Sequence, residues 1–258
     1  MASTGTGSTM RSVHRAFEVL KVLELAQRPL RLTELAHRSG LHVATTQRLV
    51  GVLTDHGYAS RHADGYTAGP AALSTAHAFA TTSPLRLVAR PVLEQLADSS
   101  GFTVSLYVRV QDHRVLIDRV ERGQRPQYSL PIGERLPLYP GAAGKVFLAH
   151  DRRTDLDTLV ARLGTITLAD GTVLDSEYIR DDLAAARKNG YAVSIDERQR
   201  GITAVAVPIV DSGNGIVGSI GISGNTGEFP DVANTALPDE ARRAAHTIGA
   251  RTPSTAPK

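Results

Sequence analysis

A chain of 258 residues with no cysteine, 21% charged residues and a formal net charge of +3 is long enough for a small domain and a larger one with its own core. The lack of cysteine excludes a disulfide framework and a thiolate metal site. No apolar run approaches the roughly 18 residues of a membrane span, and Met1 to Thr9, rich in Ser, Thr and Gly, lacks the apolar centre of a signal peptide, so a cytoplasmic protein without membrane contact is expected.

In chain order, Ser12 to Gln27 reads as an amphipathic helix with Val13, Ala16, Phe17, Leu20 and Leu23 on its inner stripe. Leu32 to Ser39 reads as a second helix, with Thr33 placed to cap it, Leu32, Leu35 and Ala36 inward, and Gly40 as its stop. A third, from about Val43 to His56, points Leu41, Leu49, Val50 and Leu53 inward and leaves Val43, Ala44, Thr45, Gln47 and Arg48 outward. Those outward side chains are short or hydrogen-bonding, which suits entry into a major groove of double-stranded DNA. Tyr58 to Arg61 and Tyr66 to Ala68 then flank Ala63-Asp64-Gly65, and Asp-Gly between short strands signals a hairpin. Helix, turn, helix and hairpin in this order define a winged helix-turn-helix. Arg31, Arg61 and His62 are the further candidates for DNA contact, the last two on the wing. Residues 1–69 also hold eight basic and five acidic residues, so the whole +3 of the chain sits there, as a polyanion partner favours.

Pro70 to Thr82 is Ala-rich and reads as a linker helix, which sets the expected division at 1–69, 70–83 and 84–258. Pro84 to about Ser100 reads as a helix with Leu87, Val88, Val92, Leu93 and Leu96 apolar and a kink at Pro91. Phe102 to Val110, Val115 to Val120 and Tyr128 to Ile132 read as strands. Helices are expected over Ala142 to His150, Asp155 to Arg162 and Ser176 to Asn189. Two more strands, Ala204 to Val210 and Ile216 to Ser223, follow across the turn cluster Asp211 to Gly215. Hairpins with interspersed helices argue an α+β domain with an antiparallel sheet and flanking helices.

Catalytic classes fit poorly, and no enzyme and no cofactor are expected. A phosphate loop needs glycine where Tyr139 stands and Ser or Thr where Val146 stands. A nucleophile elbow fails at Asn225, after Gly221-Ile222-Ser223-Gly224. The histidines stand singly, so no metal site is expected. Asp196 and Glu197 are adjacent, and adjacent residues on a strand point to opposite faces.

Several phrases carry a family resemblance. The winged domain, Arg135-Leu136-Pro137-Leu138-Tyr139-Pro140-Gly141-Ala142-Ala143-Gly144-Lys145, the segment Asn189 to Val193 before Asp196-Glu197, Gly201 to Ile209 and Gly218 to Gly224 together resemble the IclR family of bacterial transcriptional regulators. The resemblance implies a winged domain that dimerises on a palindromic operator, followed by a GAF-like domain that binds a small effector, often an organic acid, in a dimer or tetramer. It implies that the loop at Ala142, Ala143 and Gly144 holds a carboxylate on backbone amides at a helix start. It further brings Ser194, Asp196, Ala204, Ser219, Gly221 and Ser223 to the effector site. Ser219, Gly221 and Ser223 share a strand face, although Gly and Ser there also serve close packing. Ser194, Ala204 and Gly221 are smaller or less polar than the residues common in acid-binding relatives, which leads one to expect a larger or less polar ligand. The alternative from another class is a ligand-independent DNA-binding protein whose larger domain only oligomerises.

Overall fold

The structure, a computed structural model, describes residues 6–122, 130–151 and 155–253. It divides into two compact units, Met1–Thr82 and Ser83–Lys258.

The first unit contains α1 (Thr6–Glu24), α2 (Leu32–Ser39), α3 (Val43–Asp55), strands β1 (Ala59–His62) and β2 (Gly65–Ala68), and α4 (Ala71–Thr82). Its core gathers Val19, Leu23, Leu30, Leu35, Val50 and Ala59. The stripe of α1 that packs is therefore Val19, Val22 and Leu23, while Val13 and Phe17 are 51% and 57% exposed, a correction to the expected inner face. Ten or more apolar and neutral residues on a long helix offer two stripes, and only one meets the small three-helix core. Thr33 does not cap α2. Arg31 occupies the N-cap position with no side-chain cap bond, and Thr33 lies inside the helix.

The wing turn is one residue shorter than expected, because Gly65 belongs to the second strand. His62 pairs with Gly65 and Ala59 with Ala68, leaving Ala63 and Asp64 as the turn. Gly65 has φ 147°, and a Cβ there would stand 2.4 Å from the Leu30 carbonyl oxygen. Only glycine lets the wing close on the segment before α2, where Leu30 and Tyr66 exchange backbone hydrogen bonds of 2.9 and 2.8 Å.

The second unit runs α5 (Pro84–Ser100), β3 (Thr103–Val110), β4 (His113–Val120), β5 (Arg135–Pro137), α6 (Ala142–Ala149), α7 (Leu156–Leu163), the short ribbon β6 (Ile166–Thr167) and β7 (Val173–Leu174), α8 (Ser176–Asn189), β8 (Ala192–Ile195), β9 (Ile202–Val210), β10 (Ile216–Asn225) and α9 (Leu237–Arg251). Six strands form one antiparallel sheet in the order β5-β4-β3-β10-β9-β8. The edge strand beside β4 is Arg135–Pro137. Of the expected strand at Tyr128 to Ile132, Tyr128 and Ser129 lie outside the described residues and Leu130 to Ile132 are not strand.

Alternation gives the two sheet faces opposite characters. Val205, Val207, Ile209, Ile220 and Ile222 face α5 and α9, joining Leu93, Leu96, Ala241 and Ile248. Leu87 is 53% exposed and plays no part in that core; Leu85 and Ala89 take the inner stripe instead. The other face carries small or polar residues at the same strands, Thr103, Ser105, Ala204, Gly221 and Ser223. It is covered by α6, whose residues are all buried, with α7 and α8 packed around it. Small side chains on one face and a whole helix above them leave a gap, and that gap is the candidate site.

Candidate functional site

In the first unit, α3 exposes Val43, Ala44, Gln47 and Arg48, with Thr45 half-buried. Thr46 is fully buried, and its hydroxyl donates to the His42 carbonyl at 3.2 Å. Charge pairing separates the surface arginines. Arg28 and Arg38 are held by Glu34 at 2.8 and 2.7 Å, whereas Arg31, Arg48 and Arg61 make no ion pair among the described residues and stay exposed. Across the wing, His62 Nε2 lies 3.0 Å from the Thr67 hydroxyl. Unpaired cations on one small unit are what a phosphate backbone neutralises.

In the second unit a cavity of about 80 Å³ lies between the small-residue sheet face and the start of α6. Register makes its floor. Thr103 pairs with Ser223, Ser223 with Ala204 and Ala204 with Ser194, one row across four strands, and Ser105 pairs with both Gly221 and Arg119 in the next. Its roof is Gly141, Ala142 and Ala143. The amides of Gly144 and Lys145 turn back to the Gly141 carbonyl, while those of Ala142 and Ala143 find no acceptor among the described residues, the open donors of a helix start.

Of the residues singled out in the sequence, Ala142, Ala143, Ser194, Ala204, Gly221 and Ser223 line this cavity. Three do not. Gly144 sits against the Leu138 carbonyl, where a Cβ would come within 1.8 Å, so it permits the turn rather than touching an occupant. Asp196 has φ 55°, and its Oδ1 accepts from the Gly201 amide at 2.7 Å and the Thr226 hydroxyl at 3.0 Å, closing the loop after β8. Ser219 is buried beneath α6 and donates to the Ala143 carbonyl at 3.4 Å.

Sequence reasoning missed the charge of the site. Arg114, Arg119 and Arg198 line the cavity, with no carboxylate among the described lining residues, so its wall is more polar than Ser194, Ala204 and Gly221 alone suggest. Arg114 is only 3% exposed. Its guanidinium braces the roof by donating to the carbonyls of Pro137 and, at 3.1 Å, Pro140, while its buried Nε has no partner. Burial pushes the group down to about 10, so it remains a cation at neutral pH. The available signal was two arginines, Arg114 and Arg119, on the one strand β4.

Behind the roof, Lys145, 1% exposed, uses its ammonium fully. It donates to the Val193 carbonyl at 2.9 Å, pairs with Asp182 at 2.7 Å and pairs with Glu197. Glu197 in turn accepts from the Gly141 amide at 2.9 Å, and the Tyr139 hydroxyl donates to Asp182 at 2.6 Å. Burial raises the Glu197 carboxyl above its ordinary 4.5, against the pull of Lys145. Burial and the bond to Asp182 likewise raise the Tyr139 hydroxyl.

A carboxyl whose folded value is raised holds its proton more tightly in the folded protein, so its contribution is full below 4.5 and is lost as pH rises through the raised value. The unfolding free energy of the wild type minus that of Glu197→Gln should therefore decline from pH 4.5 to neutrality in urea titrations. A difference that grows over that range would show that Lys145 outweighs burial.

A winged helix-turn-helix with free arginines, followed by a sheet domain enclosing a small cationic cavity, is the build of a DNA-binding transcriptional regulator. The profile described as "Bacterial transcriptional regulator IclR C-terminal" matches residues 77–250, and that described as "IclR helix-turn-helix domain" matches residues 12–63. The chain belongs to the IclR family of bacterial transcriptional regulators. It is 30% identical to the acetate operon repressor of Salmonella typhimurium over 88% of this chain and 85% of that one. It is also 30% identical to the glycerol operon regulatory protein of Streptomyces coelicolor, over 93% and 97%. A crystal structure of an IclR regulator from Alicyclobacillus acidocaldarius superposes with a TM-score of 0.79 at 27% identity, covering 93% of this chain and 98% of that one. Among the described residues, no helix is long and apolar enough to cross a membrane and no three His, Asp or Glu side chains gather as a metal site.

Proposed function

We propose that this regulator binds a palindromic operator as a dimer or tetramer, that Val43, Ala44, Thr45, Gln47 and Arg48 meet the major groove with Arg31, Arg61 and His62 on the flanking backbone, and that a small acidic effector in the cavity changes its affinity for DNA. The observation that carries the effector reading is Arg114. A buried cation with no ion pair and an unpartnered N–H among the described residues carries a desolvation cost that its two carbonyl partners offset only in part, and an anion supplied from outside offsets the rest. A domain serving only to oligomerise gives no reason for such a group. Self-association is supported by apolar residues left over in the first unit: Met10, Val13 and Phe17 at helical spacing on α1 and Leu73 on α4 are exposed, and α4 buries none of its residues.

Arg48→Ala tests the DNA assignment on an operator fragment selected by the wild-type protein. The loss of a base contact should weaken binding by about 1–3 kcal/mol and relax selectivity at one position of each half-site. An unchanged affinity in a gel-shift titration removes α3 as the reading helix.

A further inference from the structure

Side chains alternate across a strand, so residues five apart face opposite ways. Arg114 and Arg119 are five apart on β4, yet both line the cavity. A bulge accounts for it: Tyr107 pairs with Leu116 and Leu106 with Asp118, leaving Ile117 as an extra residue. Beyond a bulge the facing of the strand inverts. Ile117 joins the core against α5 and α9. Asp118, fully buried, accepts from Arg90 at 2.9 Å and from the Arg119 amide at 2.8 Å, with Arg86 3.1 Å from its other oxygen as an ion contact outside hydrogen-bond geometry. That anchorage to α5 turns Arg119 to the opposite face, beside Ser105. The Arg119 side chain is 9% exposed. One guanidinium nitrogen donates to the Leu130 carbonyl at 2.6 Å and another pairs with Glu121, which lies outside the lining.

The cavity thus has cations at two places along β4, Arg114 beneath the open amides of α6 and Arg119 farther along, where Ser105 lies opposite it and Thr103 and Ser223 form the next row beyond. Arg198 adds a third cation. One carboxylate reaches only one of these places. We propose that the effector carries two anionic groups, the first on the Ala142 and Ala143 amides with Arg114 and the second on Arg119. This rests on the reading of the cavity as the effector site and narrows the class of ligand it takes. A planar fork of donors suits either a carboxylate or a phosphoryl group.

The test is calorimetry on the full chain with succinate, glutarate and adipate, each against the monoacid of equal length, butyrate, pentanoate and hexanoate. A further arm sets 2-phosphoglycolate against glycolate and reports whether the second group is phosphoryl. At least one dianion should bind about 10- to 100-fold more tightly than its monoanionic match, the range for one added charged hydrogen bond. Arg119→Gln should collapse that preference to within about threefold, and Arg119→Lys, which keeps the charge without the fork, should fall between. Equal binding of dianions and monoanions, or a preference that survives Arg119→Gln, overturns the second anionic place and leaves the effector cavity standing. If no acid of any arm binds, the effector reading falls and this inference with it.

Discussion

Lys145→Met is expected to destabilise the second unit by about 3–5 kcal/mol, the range for removing one partner of a buried ion pair. The methionine fills most of the space, so the loss is electrostatic. Glu197 and Asp182 are left facing each other without the ammonium that each now contacts, and the Val193 carbonyl loses its donor. The roof feels the change too, because Glu197 also holds the Gly141 amide. Equilibrium urea unfolding reads the effect, and adding Glu197→Gln to the methionine variant should restore part of it, since one of the stranded charges is then gone. A loss under about 1 kcal/mol would mean the cluster is neutral in the folded protein and Lys145 contributes by packing alone.

Ala143→Asp is expected to abolish the effector response entirely. Ala143 is buried in the roof and lines the cavity together with Arg114 and Arg198, so a carboxylate grafted there would occupy the place proposed for the effector's own. The variant should hold one operator affinity with or without added acid, and that affinity should match the liganded wild type, because an internal anion satisfies Arg114 permanently. Operator titrations of both proteins, with and without the tightest acid from calorimetry, measure it. A normal response with a normal midpoint puts the effector elsewhere.

What the sequence disclosed and what it hid divide along physical lines. The winged helix-turn-helix was legible because its signals are local: Gly40 after α2, an inward stripe on α3 and a tight turn between two short strands. Local signals also set α8, which runs Ser176–Asn189 between Asp175 and Gly190 as its caps. Stripes that need a partner to decide between them were not legible, as with Val13 and Phe17 on α1. The helix α9 went unread although Leu237, Ala241, Ala244, Ala245 and Ile248 recur at helical spacing and Pro238 opens its first turn. Within the cavity, Ala142, Ala143 and Ser223 came from phrases in the chain, but Arg119 could not, since a period of two carried through β4 assigns it to the wrong face. One unpaired residue, Ile117, decides it, and bulges leave no pattern that alternation can detect.

The join of roof to floor has a consequence for how such a protein changes over generations. The amides proposed to hold an acid and the lysine at the heart of the domain lie within four consecutive residues of one helix, Ala142 to Lys145, and Gly144 between them has no room for a side chain. Substitutions at Gly144 and Lys145 threaten folding before they alter recognition. Thr103, Ser105 and Ser223 stand on strands whose opposite faces supply the larger core, so changes in their size and polarity leave that core in place. New chemical tastes in this lineage should therefore arise on the sheet, under a ceiling that stays the same.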